Sequence, residues 1–366
     1  MSELTTELTA ATAAIVERVG VDPQTPSEGV SEELWRHLVD GGFATVGVPE
    51  AAGGGGATLG DALAVVATAA RHGAVVPLVE HGILAAWLAA TAGYVSTSEF
   101  ATAAVGDVHC SIRRDGDALL FDGTVTGVPY AADADTLVVV LPPESGADGS
   151  SVAVLPMSGS GAEVSADTDL IGVSYADIVF RDTPVVFHGS SPVPLAEFLH
   201  RGALAYAAAT AAAAAAVRDH TVRYASERIQ FGRSLAKFQA VQQQLARLAA
   251  RTTMMEVAVD AAIAAHDDPA IGRLAAAAAK VVTAMSAHSV AAAGHQIHGA
   301  IGTTSEHRLG RFTTALWSWR DRFGSEQFWA EDLASRILDD GIDVWDVVTG
   351  TRAQDDSTQT TDRNPV

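Results

Sequence analysis

Residues able to bind anions or move protons gather in two C-terminal segments. The first is ERIQFGRSLAKFQAVQQQLA, residues 227–246. Its Arg228 offers a planar, permanently charged fork of donors that suits phosphate oxygens. The bland alternative is a surface charge paired with Glu227 or Asp219. Phe231 and Gln239 follow in the same segment, and Phe231 could equally be plain core. The second segment is QIHGAIGTTSEHRLGRF, residues 296–312. Gly299 there allows close approach to the main chain, and His298 reads as a packed histidine before it reads as a base. Cys110 is the single cysteine, which excludes an internal disulfide and any multi-cysteine metal site; no metal ligands are assigned.

A chain of 366 residues is long enough for two or three domains with a large core. Lys plus Arg number 23 against 44 Asp plus Glu, a net charge of -21. So acidic a chain repels phosphate backbones and anionic lipid surfaces, so neither nucleic acid nor membrane is an expected partner. Glu3 and Glu7 stand where a secretory signal carries Lys or Arg, and a cytoplasmic location is expected.

The elements that must position these residues follow from periodicity. Ser31 opens the series Leu34, Trp35, Leu38, Val39, a helical spacing ended by Gly41-Gly42. Pro49 and Gly53 to Gly56 predict a turn, and residues 58–72 and 78–92 two further helices. From residue 104 the pattern becomes β. Asp115-Gly116 and Asp122-Gly123 carry hairpin signals between β-prone runs. DTLVVVLPP, SSVAVLPM and YADIVFRDTPVV read as strands, the first two joined by the loop 145–151. Helices return near residue 193. The long alanine run after Ala203 predicts a closely packed helix, not a membrane span, because charges follow at Arg218 and Asp219. Helical periodicity resumes over 238–265, 270–296 and 325–339, and the polar tail 351–366 is expected to be disordered. The expected fold is therefore α+β, mostly α: a helical domain 1–103, a β domain 104–190 and a helical domain 191–350.

Segments 227–246 and 296–312 both resemble signature segments of the acyl-CoA dehydrogenase family, and LVDGGFATVGVPEAAGGGG near the N-terminus resembles an early element of it. The three fall in the family's order, and the resemblance covers roughly residues 5–340. It implies an N-terminal helical domain, a middle β-barrel and a C-terminal four-helix bundle, with FAD as cofactor and tetramers built through the bundles. The implied reaction is α,β-desaturation of a fatty acyl or sterol-chain CoA thioester. That reaction needs a carboxylate for the α-proton, polarisation of the thioester carbonyl, and a hydride acceptor. By the resemblance, Arg228 contacts the FAD pyrophosphate, Phe231 packs near the adenine, and Gln239 lies in the same region. Gln296, Gly299 and Ala300 match a stretch along the diphosphate–adenosine part, with Ala300 replacing a glycine. Glu306 matches a structural position, capping a helix.

The departures shape the functional expectation. The family's catalytic glutamate occupies one of two places, and here Phe323 and Gly202 stand at them. A substitute base would be Glu326, Asp321 or Glu197. The family's Thr-Glu-Pro loop is missing, and Gly127, Val128 and Pro129 stand where a flavin-contacting Trp-Ile-Thr is expected. The pattern resembles the non-catalytic subunit of actinobacterial heterotetrameric (α2β2) sterol side-chain acyl-CoA dehydrogenases, completing the FAD site of a catalytic partner, with an electron-transferring flavoprotein as the implied acceptor. The alternatives are a self-sufficient homotetramer with Glu326 as relocated base, and a flavin-free acyl-CoA-binding or scaffold protein.

Overall fold

A computed structural model describes residues 2–19, 29–143, 149–159, 161–268, 271–305, 307–339, 341, 343 and 345. The expectations for Glu306 and for the tail 351–366 lie outside the described residues. The chain is mostly helical, in the order helices, sheets, helices. At the N-terminus, α1 (Glu3–Val19), α2 (Glu32–Asp40) and α3 (Leu59–Arg71) precede a buried π-helical stretch, Val79–Ala86, that continues into α4 (Trp87–Thr91). Thr58 caps α3 reciprocally with Asp61, each side chain bonded to the other's backbone N–H.

Eight strands follow: β1 (Ala101–Val105), β2 (Ser111–Asp115), β3 (Ala118–Pro129), β4 (Thr136–Leu141), β5 (Ser151–Pro156), β6 (Ala162–Thr168), β7 (Ser174–Pro184) and β8 (Phe187–Ser190). They form two four-stranded sheets, ordered β1-β4-β5-β8 and β2-β3-β7-β6. Phe121, Val125, Leu137, Leu155, Ile178 and Phe180 from both sheets share one core. The Asp115-Gly116 signal is realised, since Asp115 pairs with Ala118 across a two-residue turn. Asp122-Gly123 is not a turn. It lies within β3 at a register shift between Phe121 and Gly123, and Asp122 instead accepts the Asp182 N–H across the sheet at 2.9 Å. A carboxylate that finds a cross-strand donor removes the reason for the chain to reverse there.

The C-terminal half holds α5 (Leu195–Glu227), the hairpin β9 (Ile229–Gln230) and β10 (Arg233–Ser234), then α6 (Gln239–Ala265), α7 (Gly272–His298), α8 (Leu309–Trp319) and α9 (Glu326–Leu338). The alanine run sits in α5, where Ala203 to Ala211 are buried without a break. Small side chains let α3, α6, α7 and α8 all pack against this one helix. One core joins α1–α4, α5–α8 and the facing strands β1, β4 and β5. The stretch Gly272–Thr303 is long and apolar enough to cross a membrane, but most of its apolar window is buried inside the fold.

Candidate functional site

Arg228 follows the last residue of α5, and its N–H donates to Tyr224 O at 2.8 Å. Its side chain is exposed, and among the described residues no hydrogen bond or ion pair holds it. The alternative partner Asp219 is taken: it pairs with Arg71 and, at 2.9 Å, with Arg218. Phe231 sits at the tip of the β9–β10 hairpin, 91% exposed and at a φ of 51°. With Gly232 at 80° it makes the two-residue turn that matches strand twist. The core reading of Phe231 is thereby corrected: a ring this exposed packs in no core of its own chain. Gln239 is the exposed first residue of α6.

The second segment comes close to the first through Tyr224. Its ring stacks on His298 at 4.4 Å, and its hydroxyl donates to His298 O at 3.3 Å. His298 is buried, Nδ1 bonds Gly294 O at 2.8 Å, and burial lowers its pKa, so it is a packed neutral ring. Gln296 is exposed on the last turn of α7, and Gly299 and Ala300 are exposed on the turn that follows it. Gly299 has a φ of 64° and open space where a Cβ would stand. An unpaired guanidinium and an open glycine turn, on segments joined through Tyr224 and His298, suit the diphosphate–adenosine half of a dinucleotide. The position expected to meet the flavin ring offers no exposed side chain. A Cβ at Gly127 would stand 2.8 Å from Tyr175 Oη, and Val128 and Pro129 are buried in the β domain.

The two expected base positions meet in space. The Phe323 ring lies against Gly202 so closely that a Cβ there would stand 2.3 Å from Cδ1 of Phe323. Phe323 stacks on Tyr206 at 6.0 Å and meets Phe198 edge-on at 5.8 Å. Glu326 is half-buried on the first turn of α9, Asp321 is exposed and pairs with Arg320 at 3.4 Å, and Glu197 is half-buried in the first turn of α5.

The nearby carboxylate is one that sequence reasoning missed. Glu80, on the π-helical stretch, is 1% exposed and accepts the Tyr206 hydroxyl. Arg322 Nη1 donates to Glu80 at 3.4 Å and to the Tyr206 hydroxyl at 3.1 Å; Nη2 donates to Asp169 at 2.6 Å. The guanidinium also lies 5.7 Å from the rings of Tyr130, Tyr175 and Tyr206. Burial pushes the Glu80 pKa up, with Arg322 opposing it. Burial alone would lower Arg322, but Tyr206, Glu80, Tyr130 and Asp169 hold it well above its ordinary value. Lys280, also fully buried, donates to Trp319 O at 3.0 Å, and burial lowers its pKa to about 7. The available signal was a lone charge in an apolar run: Glu80 in VVPLVEHGIL, Lys280 in AAAAAKVV. Among the described residues no group of three or more His, Cys, Asp or Glu could hold a metal ion.

Comparisons with known proteins agree with this layout. The family model for the acyl-CoA dehydrogenase C-terminal domain matches residues 194–338. Acyl-CoA dehydrogenase FadE28 of Mycobacterium tuberculosis is 32% identical over 241 residues, 60% of this chain and 67% of that protein. FadE27 of the same organism is 28% identical over 316 residues, 77% of this chain and 82% of that protein. The solved Tcur3481-Tcur3483 steroid ACAD, in a variant form, superposes with a TM-score of 0.78 at 26% identity, covering 92% of this chain and 98% of that one. With a relative above 30% identity matched over two thirds of its length, the chain belongs to the acyl-CoA dehydrogenase family.

Proposed function

We propose that the chain is the non-catalytic member of a two-component acyl-CoA dehydrogenase, completing the FAD site of a partner that carries the base. The observation that carries this reading is the Phe323–Gly202 contact. Both places that hold the proton-abstracting carboxylate in family members are filled here by a ring against a glycine. α-Proton abstraction needs a carboxylate within hydrogen-bond reach of the substrate. The nearby carboxylate, Glu80, is turned into an ion pair with Arg322. The two-component name of the steroid ACAD neighbour supports a paired assembly and a sterol-derived acyl-CoA as the substrate class.

When bound, FAD supplies the acceptor for the β-hydrogen of the thioester. This chain's part is to hold the distal half of the cofactor. Arg228 would hold the pyrophosphate, Phe231 would pack beside the adenine, and Gln239, Gln296, Gly299 and Ala300 would line the adenosine half. The electron acceptor in this reading is an electron-transferring flavoprotein.

The test is the visible flavin spectrum of the chain expressed alone and co-expressed with a family member that has the glutamate. Flavin and acyl-CoA oxidation are expected only in the complex, with flavin content lowered by Arg228→Ala and turnover unchanged by Glu326→Gln. Flavin with turnover in the chain alone would overturn the reading and make Glu326 the first suspect.

A further inference from the structure

Resting on that reading, we infer that the chain's own acyl cleft is closed by a built-in plug, with Phe323 as stopper and Arg322 as tether. Three domains converge on the plug. The N-terminal helices bring Glu80, the β domain brings Tyr130, Asp169 and Tyr175, and the C-terminal helices bring Tyr206 and the turn 320–325. Beside them, a cavity lined by Ala69, Leu78, Glu80, Tyr130, Tyr206 and Trp319 is about 20 Å³. That holds roughly one water molecule. Pockets for small organic ligands run to hundreds of Å³, so that cavity has no room for an acyl chain.

The closure is built into the backbone. Phe323 is held at a φ of 53°, a left-handed conformation costly for a bulky side chain. Trp329 Nε1 donates to Phe323 O at 2.8 Å and fixes that turn. Tyr130, on the opposite wall, is also left-handed, at 56°. Strain of this kind persists only where surroundings over-determine it. Here the surroundings are the Arg322 network on one side and the Gly202 surface on the other. The network lacks nothing a ligand would supply: the guanidinium meets two carboxylates and a hydroxyl. The consequence for an assembly is that acyl-CoA enters only the other type of subunit.

The plug is read on the full chain without its partner, so its failure is separate from failure of the shared-site reading, which flavin content of the complex tests. S-octyl coenzyme A, a thioether with no acidic α-proton, is titrated calorimetrically into the wild-type chain. No saturable binding is expected, and uptake of one equivalent would overturn the plug. Phe323→Ala is then melted with and without benzene, which enters apolar cavities left by a removed side chain. Benzene is expected to raise the melting temperature of Phe323→Ala and leave wild type unchanged. A folded Phe323→Ala chain with no benzene-dependent shift would also overturn the proposal. The thioether titration needs no variant, so it decides even where Phe323→Ala fails to fold.

Discussion

At Gly202 the sign of a single methyl group separates two accounts of α5. In a helix interior, glycine to alanine normally stabilises by about 1 kcal/mol, because alanine loses less backbone entropy. A Cβ here, however, would stand 2.3 Å from Cδ1, 2.6 Å from Cγ and 2.9 Å from Cε1 of Phe323. The ring cannot retreat easily, since Phe198 and Tyr206 flank it. Gly202→Ala is therefore expected to destabilise the chain by about 1–3 kcal/mol, the usual cost of overpacking. The loss should shrink in the Gly202→Ala, Phe323→Leu double variant, where the smaller side chain leaves room. Denaturant midpoints of the four chains in that cycle check this. A stabilised Gly202→Ala chain would mean that Phe323 does not rest on α5.

The junction of α7 and α8 owes its geometry to a charge in an unlikely place. Lys280 reaches from the middle of α7 to the last carbonyls of α8, donating to Trp319 O, and so fixes where the turn 320–325 begins. Its folded-state pKa is about 7 against an ordinary 10.5. Between those values the unfolded chain binds more protons, so stability rises with pH through that window. The penalty for burying the charge is fully present below about 7 and is gone above the unfolded value. Lys280→Met removes that dependence. The stability of wild type relative to Lys280→Met should therefore rise from pH 7 to 10, by at most about 1.4 kcal/mol per pH unit. Urea unfolding across that range measures it, and a constant difference would place the Lys280 pKa near its ordinary value.

Sequence reasoning reached the elements more easily than the contacts between them. Helical spacing in Leu34, Trp35 and Leu38 reports a buried face directly, because burial of one helix face is a local matter. Arg228 and Gly299 were legible because they lie in segments that resemble family signatures, and their residue types suit phosphate and close main-chain approach. Glu80, Tyr206, Asp169 and Arg322 were not, because their meaning lies in a meeting of segments up to 242 residues apart. Asp122-Gly123 failed for the same reason, its partner being the Asp182 N–H on β7. Phe323 and Gly202 each stand in the sequence where a carboxylate is expected, but only folding brings the two against each other.

On the scale of the whole molecule, Arg322 is the side chain that ties the three domains at one point. One guanidinium bonds Glu80 of the N-terminal helices, Asp169 of the β domain and Tyr206 of α5. Asp169 in turn accepts the N–H groups of Ile171 and Val173, each at 3.0 Å, so the β6–β7 turn hangs on the same ion pair. Replacing Arg322 with methionine keeps much of the volume but leaves Glu80 buried without its cation. Breaking a buried pair in this way costs about 3–5 kcal/mol. Much of that loss is the stranded carboxylate, so Glu80→Gln in the Arg322→Met background should recover part of it. Asp169 is one-fifth exposed and can turn to water, whereas Glu80 cannot. The recovered part therefore belongs to the junction with the N-terminal helices. The β domain should stay loosened in the double variant. Amide hydrogen exchange distinguishes the two: protection should return around Glu80 but stay reduced over 169–174. Equal recovery at both places would show that Asp169 depends on Glu80 and not on Arg322. A single guanidinium would then not be what couples the β domain to the helices.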